Sequence, residues 1–458
     1  MNSWFENPQK KKMGLVLGGG GARGCYEIGA WQMFSEENIV FDCVAGTSIG
    51  AIVGAIYVQQ SLSEIVQFVY DMHPQAIARD LFAFPDSFTK LLQSHKEISS
   101  FMEQYILSAK GMDISPLKSE IEKMFSYEKF MKSPINYACM TYNVTKRKPE
   151  AYFKDQMTRE NAVNIILASA SCYPAFPMLE MNGDQYIDGG YADNVPVDLA
   201  QKMGAEKILA FNVEGPGITR PVLPGTDVLN IKPMLPLGNF LDFSSESCVR
   251  SMNIGYLETG KLTGRFAGYL YTFTQESLQD LYFMDQYLSF MFMMIHQPIS
   301  QKQAMKIVRD TVGFHPSYLS KMKAEDYSYG ELTEALAYIS GVDPARLYSA
   351  YHYVASLLKC LEAIKLDHIP DDASKIVSYL YSMGQEKLMP ILHALIIHEN
   401  GQRTDLISTL EHLFYDQMIL AWVWYFLGEA FYHVKQSADG NKTESAKTAG
   451  SRNSASDA

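Results

Sequence analysis

The sequence lacks the patterns that mark several common protein classes. It has no C-x-x-C pair, and no H-E-x-x-H or EF-hand pattern occurs, so we predict no metal and no cofactor. A formal net charge of −12 with no basic cluster argues against a nucleic-acid partner. The scattered cysteines are expected to be reduced, buried thiols of a cytosolic protein; they are Cys25, Cys43, Cys139, Cys172, Cys248 and Cys360.

Long apolar runs are scarce as well. The longest uncharged apolar run covers residues 418–428, which is too short to span a bilayer. The N-terminal residues are polar and lack the apolar core of a secretory signal. We therefore expect a soluble, cytoplasmic protein whose membrane contact is transient and peripheral. One candidate contact is Lys10 to Lys12 beside Trp4 and Phe5, although three lysines near a terminus are usually only solvated.

A serine flanked by two glycines follows the second predicted strand. Residues 41–45 form a short apolar run with strand character, and residues 49–58 form a longer run suited to a buried helix. Gly46, Ser48 and Gly50 between them make a G-x-S-x-G pattern, in which a strand turns sharply into a helix and exposes the serine hydroxyl. The pentapeptide alone also fits a packing turn. Its strand–turn–helix context makes Ser48 a candidate nucleophile.

A glycine-rich loop precedes this serine, between a predicted strand at residues 13–17 and a helix from Cys25 onward. Gly19, Gly20 and Gly21 can present backbone N–H groups to an anion. The same arrangement is the dinucleotide-binding fingerprint, which needs an acidic residue at the end of the second strand. That strand ends in the serine pattern instead. We therefore favour acyl transfer, with the loop facing an oxyanion, and keep nucleotide binding as the weaker alternative.

A nucleophilic serine needs a base, and histidine is the usual one. No histidine occurs in residues 1–70 or 130–215, the regions that resemble an α/β core, while His73 and His95 are expected to be solvated. Asp188 is the carboxylate that stands out, because it ends a short apolar strand and is followed by two glycines. An ordinary Asp-Gly hairpin turn is the alternative interpretation of this segment.

The order of these three motifs resembles the patatin-like phospholipase family. The chain has G-G-G-x-R-G at residues 19–24, G-x-S-x-G at residues 46–50 and D-G-G at residues 188–190. Further matching stretches are ASASCYPAFP at 168–177, NVPV at 194–197, MGAEKI at 203–208 and DISPL at 113–117. The resemblance covers about residues 12 to 260. It implies a three-layer α/β/α fold with a mainly parallel sheet.

The resemblance also implies roles for single residues in a Ser–Asp dyad hydrolase. Ser48 would be the nucleophile, and Asp188 would accept its proton. The oxyanion-hole amides would come from Gly19, Gly20 and Gly21. Arg23 would support that loop or meet a lipid phosphate. The supporting glycines would be Gly46, Gly50, Gly189 and Gly190. Because an aspartate has a reference pKa of about 3.9, we expect burial beside Ser48 to raise the pKa of Asp188.

The implied activity is a lipid acyl hydrolase of the phospholipase A or lysophospholipase type, which cleaves carboxylic esters of membrane lipids. The implied substrate is a phospholipid or lysophospholipid. The alternative is a regulatory or binding protein with a weakly active patatin-like domain and a ligand-sensing helical C-terminal domain. Intact Ser48 and Asp188 favour the hydrolase.

Composition divides the chain into four parts. Residues 1–12 are a polar lead, residues 13–265 an acyl hydrolase domain, residues 270–435 an α-helical second domain without strand signals, and residues 436–458 a disordered tail. In the second domain, the Met- and aromatic-rich stripe at residues 288–295 is predicted to be core rather than a lid or a lipid-binding surface.

Overall fold

The computed structural model describes residues 4–79, 81, 111–222, 225–313, 327–364, 373–383 and 385–431. The chain divides into two compact units, the first reaching to Ala267 and the second beginning at Gly268. The predicted tail at residues 436–458 and the predicted solvation of His95 both lie outside the described residues.

An eight-stranded, mainly parallel sheet lies at the centre of the first unit. Its order is β5-β6-β3-β2-β1-β7-β8, with β4 paired to β3 outside this path. The pairs β3–β2, β2–β1, β1–β7 and β7–β8 are parallel. Strands β4 and β5 were not among the predicted strands. The bounds are β1 Met13–Leu17, β2 Cys43–Thr47, β3 Asn136–Asn143, β4 Lys148–Phe153, β5 Leu179–Met181, β6 Asp184–Asp188, β7 Lys207–Phe211 and β8 Asp227–Ile231.

Two strands meet end to end along one edge of β3. Strand β4 pairs with β3 from Ala138 to Asn143, which leaves β2 and β6 to share the opposite edge. The parallel strand β2 ends with Thr47 opposite Met140. The antiparallel strand β6 ends with Asp188 opposite the next residue of β3. The carboxyl ends of β2 and β6 therefore converge, although 140 residues separate Ser48 from Asp188.

Helices cover both faces of this sheet. Because strand side chains alternate between faces, Val16, Ala45 and Ala138 point to the face covered by α7. The opposite face packs against α2, and both helical layers confirm the predicted three-layer α/β/α class. The helices of this unit are α1 Cys25–Glu36, α2 Ile49–Val58, α3 Leu62–Tyr70, α4 Ser115–Met124, α5 Tyr127–Lys132, α6 Ala162–Ser169, α7 Val197–Lys202 and α8 Ser245–Thr263; a short strand, β9, follows at Phe266–Ala267.

The polar lead packs on the first unit. Phe5 is buried, and its ring lies 6.2 Å from that of Phe34. The ammonium group of Lys207 lies 4.7 Å from the centre of the Trp4 ring. Lys12 donates to the carbonyl of Met203 over 2.7 Å. The N-terminal basic segment, one candidate for membrane contact, is thus partly used in packing.

The second unit is mainly helical. Two short strands, β10 Thr272–Thr274 and β11 Leu347–Tyr348, pair in parallel, so the prediction of no strand in this region is wrong for these segments. No helix in the described ranges is both long and apolar enough to cross a membrane. The helices are α9 Leu278–Met294, α10 Gln301–Val312, α11 Ser328–Ile339, α12 Ala350–Glu362, α13 Ala373–Tyr381, α14 Gln385–His398, α15 Asp405–Leu413 and α16 at residues 415–431.

The Met- and aromatic-rich stripe of α9 is only half core. Leu288 and Phe292 are fully buried. Phe290, Met293 and Met294 are more than half exposed. The prediction of a core stripe is wrong for these three residues, since consecutive apolar residues on a helix point in all directions and one packed side cannot bury them all.

Candidate active site

Ser48 occupies the sharp turn between β2 and α2. Its backbone has φ 57° and ψ −127°, a conformation that residues with a Cβ rarely adopt. The turn brings α2 so close to β1 that a Cβ on Gly50 would lie 2.3 Å from the carbonyl oxygen of Leu17. The N–H of Ser48 donates to Ser169 Oγ over 3.1 Å, and that hydroxyl donates to the carbonyl of Met140 over 2.7 Å. Ser169 thus fixes the turn against β3.

Asp188 faces this serine from the end of β6. Its side chain is 5% exposed, and Oδ1 accepts the N–H of Gly190 over 2.7 Å. The Ser48 side chain lies near enough to the same carboxylate to influence its pKa. Burial raises the pKa of Asp188 to about 6, and the interactions with Ser48 and with the N–H of Gly190 oppose this rise. The expected direction of the pKa shift is confirmed, and the carboxyl group can both accept and return a proton near neutral pH.

The glycine loop after β1 reaches the same place. The N–H of Gly19 donates to the backbone carbonyl of Asn194 over 3.0 Å, and Asn194 Nδ2 donates back to the carbonyl of Gly19 over 3.0 Å. Within the described ranges, the N–H groups of Gly20 and Gly21 have no protein acceptor. Both glycines line a cavity together with Ser48. The predicted anion donors therefore reduce to Gly20 and Gly21, because the Gly19 N–H is already engaged.

Arg23 holds this loop in place. Its Nε donates to the carbonyl of Gly238 over 2.9 Å, and Nη1 donates to the carbonyl of Glu214 over 2.6 Å. Two charge-assisted bonds to backbone carbonyls tie the loop to the segments that follow β7 and β8. Of the two predicted roles for Arg23, the contacts favour loop support over binding of a lipid phosphate.

A buried glutamate supports the start of the loop, and the sequence reasoning missed it. Glu27 is 1% exposed, and Oε1 accepts the N–H of Gly18 over 2.8 Å. Its other oxygen has no hydrogen-bond partner among the described residues. Burial raises the pKa of Glu27 well above its usual value, and the hydrogen bond from the N–H of Gly18 opposes this rise. The available signal was one acidic residue in the otherwise apolar start of α1.

The cavity beside Ser48 is mostly apolar. Its volume is about 360 Å³. That volume falls at the small end of ligand pockets, which range over about 300–1,000 Å³. Asp188 is its only acidic or basic lining side chain in the described part of the chain. Besides the glycine loop, Ser48 and Asp188, the lining includes Ile49, Ile52, Ile77, Leu117, Ala170, Cys172, Phe176, Gly190, Tyr191, Asn194, Pro216, Gly217, Ile218, Phe240, Leu241 and Phe243.

The close packing of the glycine loop gives a first prediction. Gly21 has φ +55°, and a Cβ there would lie 2.1 Å from the carbonyl oxygen of Phe240. We expect Gly21→Ala to displace the loop and to lower the rate of ester hydrolysis by about 10²-fold or more, as loss of one oxyanion donor does. The matched control is Gly183→Ala, which has φ +80° but no atom within 4 Å of the new Cβ. Equal rates for the two variants would contradict the role of the loop.

Comparison with known proteins agrees with the motifs. Residues 15–200 match the family model described as patatin-like phospholipase, which confirms the resemblance. Lysophospholipase NTE1 of Mycosarcoma maydis is 30% identical over 209 residues, 46% of this chain and 10% of the relative. The Saccharomyces cerevisiae lysophospholipase NTE1 is 30% identical over 201 residues, 44% of this chain and 11% of the relative. The chain thus matches about a tenth of these relatives.

A solved structure, that of VipD from Legionella pneumophila, aligns with 92% of this chain and 92% of its own. The sequence identity is 13% and the TM-score 0.36, so this likeness bears on neither the site nor its chemistry.

Proposed function

We propose that this chain, whose residues 15–200 belong to the patatin-like phospholipase family, is a serine-dependent lipid acyl hydrolase of the phospholipase A or lysophospholipase type. The observation that carries the proposal is that Ser48 and the buried Asp188 carboxylate lie together in the wall of one apolar cavity, beside the glycine loop. A nucleophile, its base and free backbone donors are the parts that acyl transfer requires.

The first half of the proposed reaction forms an acyl-enzyme. Ser48 Oγ attacks the ester carbonyl carbon while its proton passes to Asp188. The negative charge that develops on the carbonyl oxygen is met by the N–H groups of Gly20 and Gly21. The C–O bond to the alcohol then breaks, and the alcohol leaves with the proton held by Asp188. The acyl group remains on Ser48 as an ester.

The second half returns the enzyme to its starting state. Water attacks the acyl carbon and gives its proton to Asp188, and a second tetrahedral oxyanion forms against the same loop. The Ser48 Oγ–acyl bond breaks, and Ser48 regains a proton from Asp188 as the fatty acid departs. A single carboxyl group serves both halves because it is neutral after each attack and ionised before it.

The cavity supports an acyl chain as the part of the substrate that is bound inside. Its described lining is dominated by Ile, Leu and Phe side chains, and burying a CH₂ group stabilises the complex by about 0.8 kcal/mol. The buried Asp188 carboxylate would repel an anionic phosphate placed at the same depth. We therefore place the head group of the lipid outside the cavity.

The raised pKa of Asp188 gives a second prediction, on pH dependence. The base must be ionised to accept the proton of Ser48, so kcat/KM should rise with pH through about 6 and level off above it. The measurement is hydrolysis of a soluble ester between pH 4 and 9. Asp193 also has a pKa raised to about 6 by burial, and it does not line the cavity. The kcat/KM of Asp193→Asn should therefore rise with pH over the same range as that of the wild type.

Lipid hydrolysis itself is the direct test. The full chain is incubated with mixed phosphatidylcholine and phosphatidylglycerol micelles, and with lysophosphatidylcholine, in the presence of EDTA. We expect fatty acid to be released, and prior treatment with a serine-directed fluorophosphonate should stop it and label Ser48. Mass spectrometry of the lysolipid then identifies the cleaved position. Absence of both fatty acid release and Ser48 labelling would contradict the proposed function.

A further inference from the structure

Two side chains at the cavity both line it and face solvent. Tyr191 is 45% exposed and Ile218 is 58% exposed, whereas most other apolar lining residues are buried. They mark the point at which the cavity opens. Val222 is 41% exposed and lies four residues beyond Ile218 in the chain. Tyr191, Ile218 and Val222 are called the mouth patch below.

The backbone of the mouth patch is firmly held. Asn194 donates its N–H to the carbonyl of Ile218 over 2.6 Å, and Ile218 donates its N–H to the carbonyl of Gly190 over 2.8 Å. Arg220 Nε donates to the carbonyl of Ala192 over 3.0 Å. These bonds tie the loop to the segment that follows Asp188. The N–H and the carbonyl of Ile218 are thus both hydrogen-bonded, and its side chain is fixed in a position that faces solvent.

A positively charged residue, Arg220, is close in sequence to two of these apolar side chains. Arg220 lies between Ile218 and Val222 in the chain and is exposed, and its charge interacts with the buried Asp193. The whole chain carries a formal net charge of −12, so an exposed arginine at this position is a local exception. Apolar side chains with an arginine beside them match a phospholipid surface, which has apolar chains beneath phosphate groups.

We propose that the mouth patch docks on a phospholipid surface, with Arg220 contacting lipid phosphate. The inference rests on the proposed function, because it takes the cavity to be the binding site for the acyl chain. Its basis is continuity: Tyr191 and Ile218 belong both to the cavity wall and to the exposed patch. An acyl chain that leaves the lipid surface at the patch enters the cavity without crossing water.

Vesicle binding by a charged variant tests this docking surface. Val222→Asp places a carboxylate in the patch without touching the cavity lining. Binding is measured by co-sedimentation with mixed phosphatidylcholine and phosphatidylglycerol vesicles, with Ser48→Ala present in every protein so that no lipid is consumed. We expect Val222→Asp to weaken vesicle binding by about 10-fold, since it removes apolar contact and adds charge repulsion. Val40→Asp is the matched control, because Val40 is 66% exposed and does not line the cavity.

A second measurement separates docking from catalysis and folding. With Ser48 intact, Val222→Asp should lower hydrolysis of vesicle lipid about 10-fold and leave hydrolysis of a soluble short-chain ester within about two-fold. Val222→Ser should act in the same direction with a smaller loss. The proposal is overturned if Val222→Asp and Val40→Asp bind vesicles equally, or if the soluble ester is affected as much as the vesicle lipid. Vesicle binding is measured without hydrolysis, so an inactive enzyme cannot be mistaken for a failure to dock.

Discussion

Replacing Ser48 by alanine is expected to lower acyl release by about 10⁴-fold or more, because the proposed acyl-enzyme forms on the Ser48 hydroxyl. The glycine loop and the cavity would remain in the variant, and they would account for the residual rate of acyl release. The fold should survive, since alanine bears the same backbone strain as serine and the N–H of residue 48 can still donate to Ser169 Oγ. Fatty acid release from micelles and the thermal unfolding midpoint are the two measurements.

Ser63→Ala is the matched control for this variant. Ser63 is exposed on α3, and its hydroxyl contacts Glu64 on the same helix. It should hydrolyse lipid at the rate of the wild type. Retention of activity by Ser48→Ala would remove Ser48 from the mechanism, whatever the motif around it.

Asp188→Asn is expected to reduce hydrolysis by about 10²- to 10⁴-fold, the range that general base catalysis contributes. It should not destabilise the protein at pH 7. The folded-state pKa of Asp188 is raised from 3.8 to about 6, so the stability that this carboxyl contributes is fully present below pH 3.8 and is lost as pH rises through about 6. Because asparagine does not ionise, the variant avoids a loss of roughly 3 kcal/mol in the free energy of unfolding at pH 7. This figure is the rise in the pKa of Asp188 converted at about 1.4 kcal/mol per pKa unit.

The pH dependence of unfolding makes this prediction specific. The variant should unfold at the same or a higher temperature than the wild type at pH 7, and its advantage should disappear below pH 4. Asp184→Asn, on the same strand, is the control, because its effect on stability at neutral pH should have the opposite sign. The hydrogen bond from Lys146 lowers the pKa of Asp184, so its charged form favours the fold at neutral pH. It should keep its activity, and an Asp188→Asn enzyme as active as Asp184→Asn would exclude Asp188 as the base.

The local parts of the site were predictable from the sequence. The first strand was predicted at residues 13–17, and this range coincides with its observed bounds. The turn at Ser48 and the start of α1 at Cys25 were also placed correctly. Each depends on signals within a few residues, such as an apolar run bounded by glycine.

The meeting of Ser48 and Asp188 could not be derived from local patterns. It depends on β6 pairing with the second half of β3 in the register that sets Asp188 opposite Thr141. A shift of this register by one residue would turn the carboxylate to the other face of the sheet. Strand β4, which confines β2 and β6 to one edge, was not predicted, because its half-buried residues do not alternate. Only the resemblance to a family paired these two residues in advance.

The supporting residues were hidden for a related reason. Asn194 contacts the glycine loop across 175 positions of sequence, and its contact with Gly19 removes one of the three expected anion donors. Glu27 is a polar residue in a helix that buries nearly all its other side chains, and a pattern of apolar positions assigns it no partner. A hydrogen bond between distant segments has no sequence period, so these roles become visible only in the folded chain.

The backbone of Ser48 has a consequence for how the protein can change. With φ 57° and ψ −127°, this position suits glycine, which adopts the mirror image of an extended conformation without a clash. The substitution that best relieves the strain of the turn, Ser48→Gly, therefore also removes the proposed nucleophile. Selection or engineering for thermal robustness alone would favour an inactive chain at this one position. A serine here meets the need of the proposed acyl transfer at a position where folding alone would favour glycine.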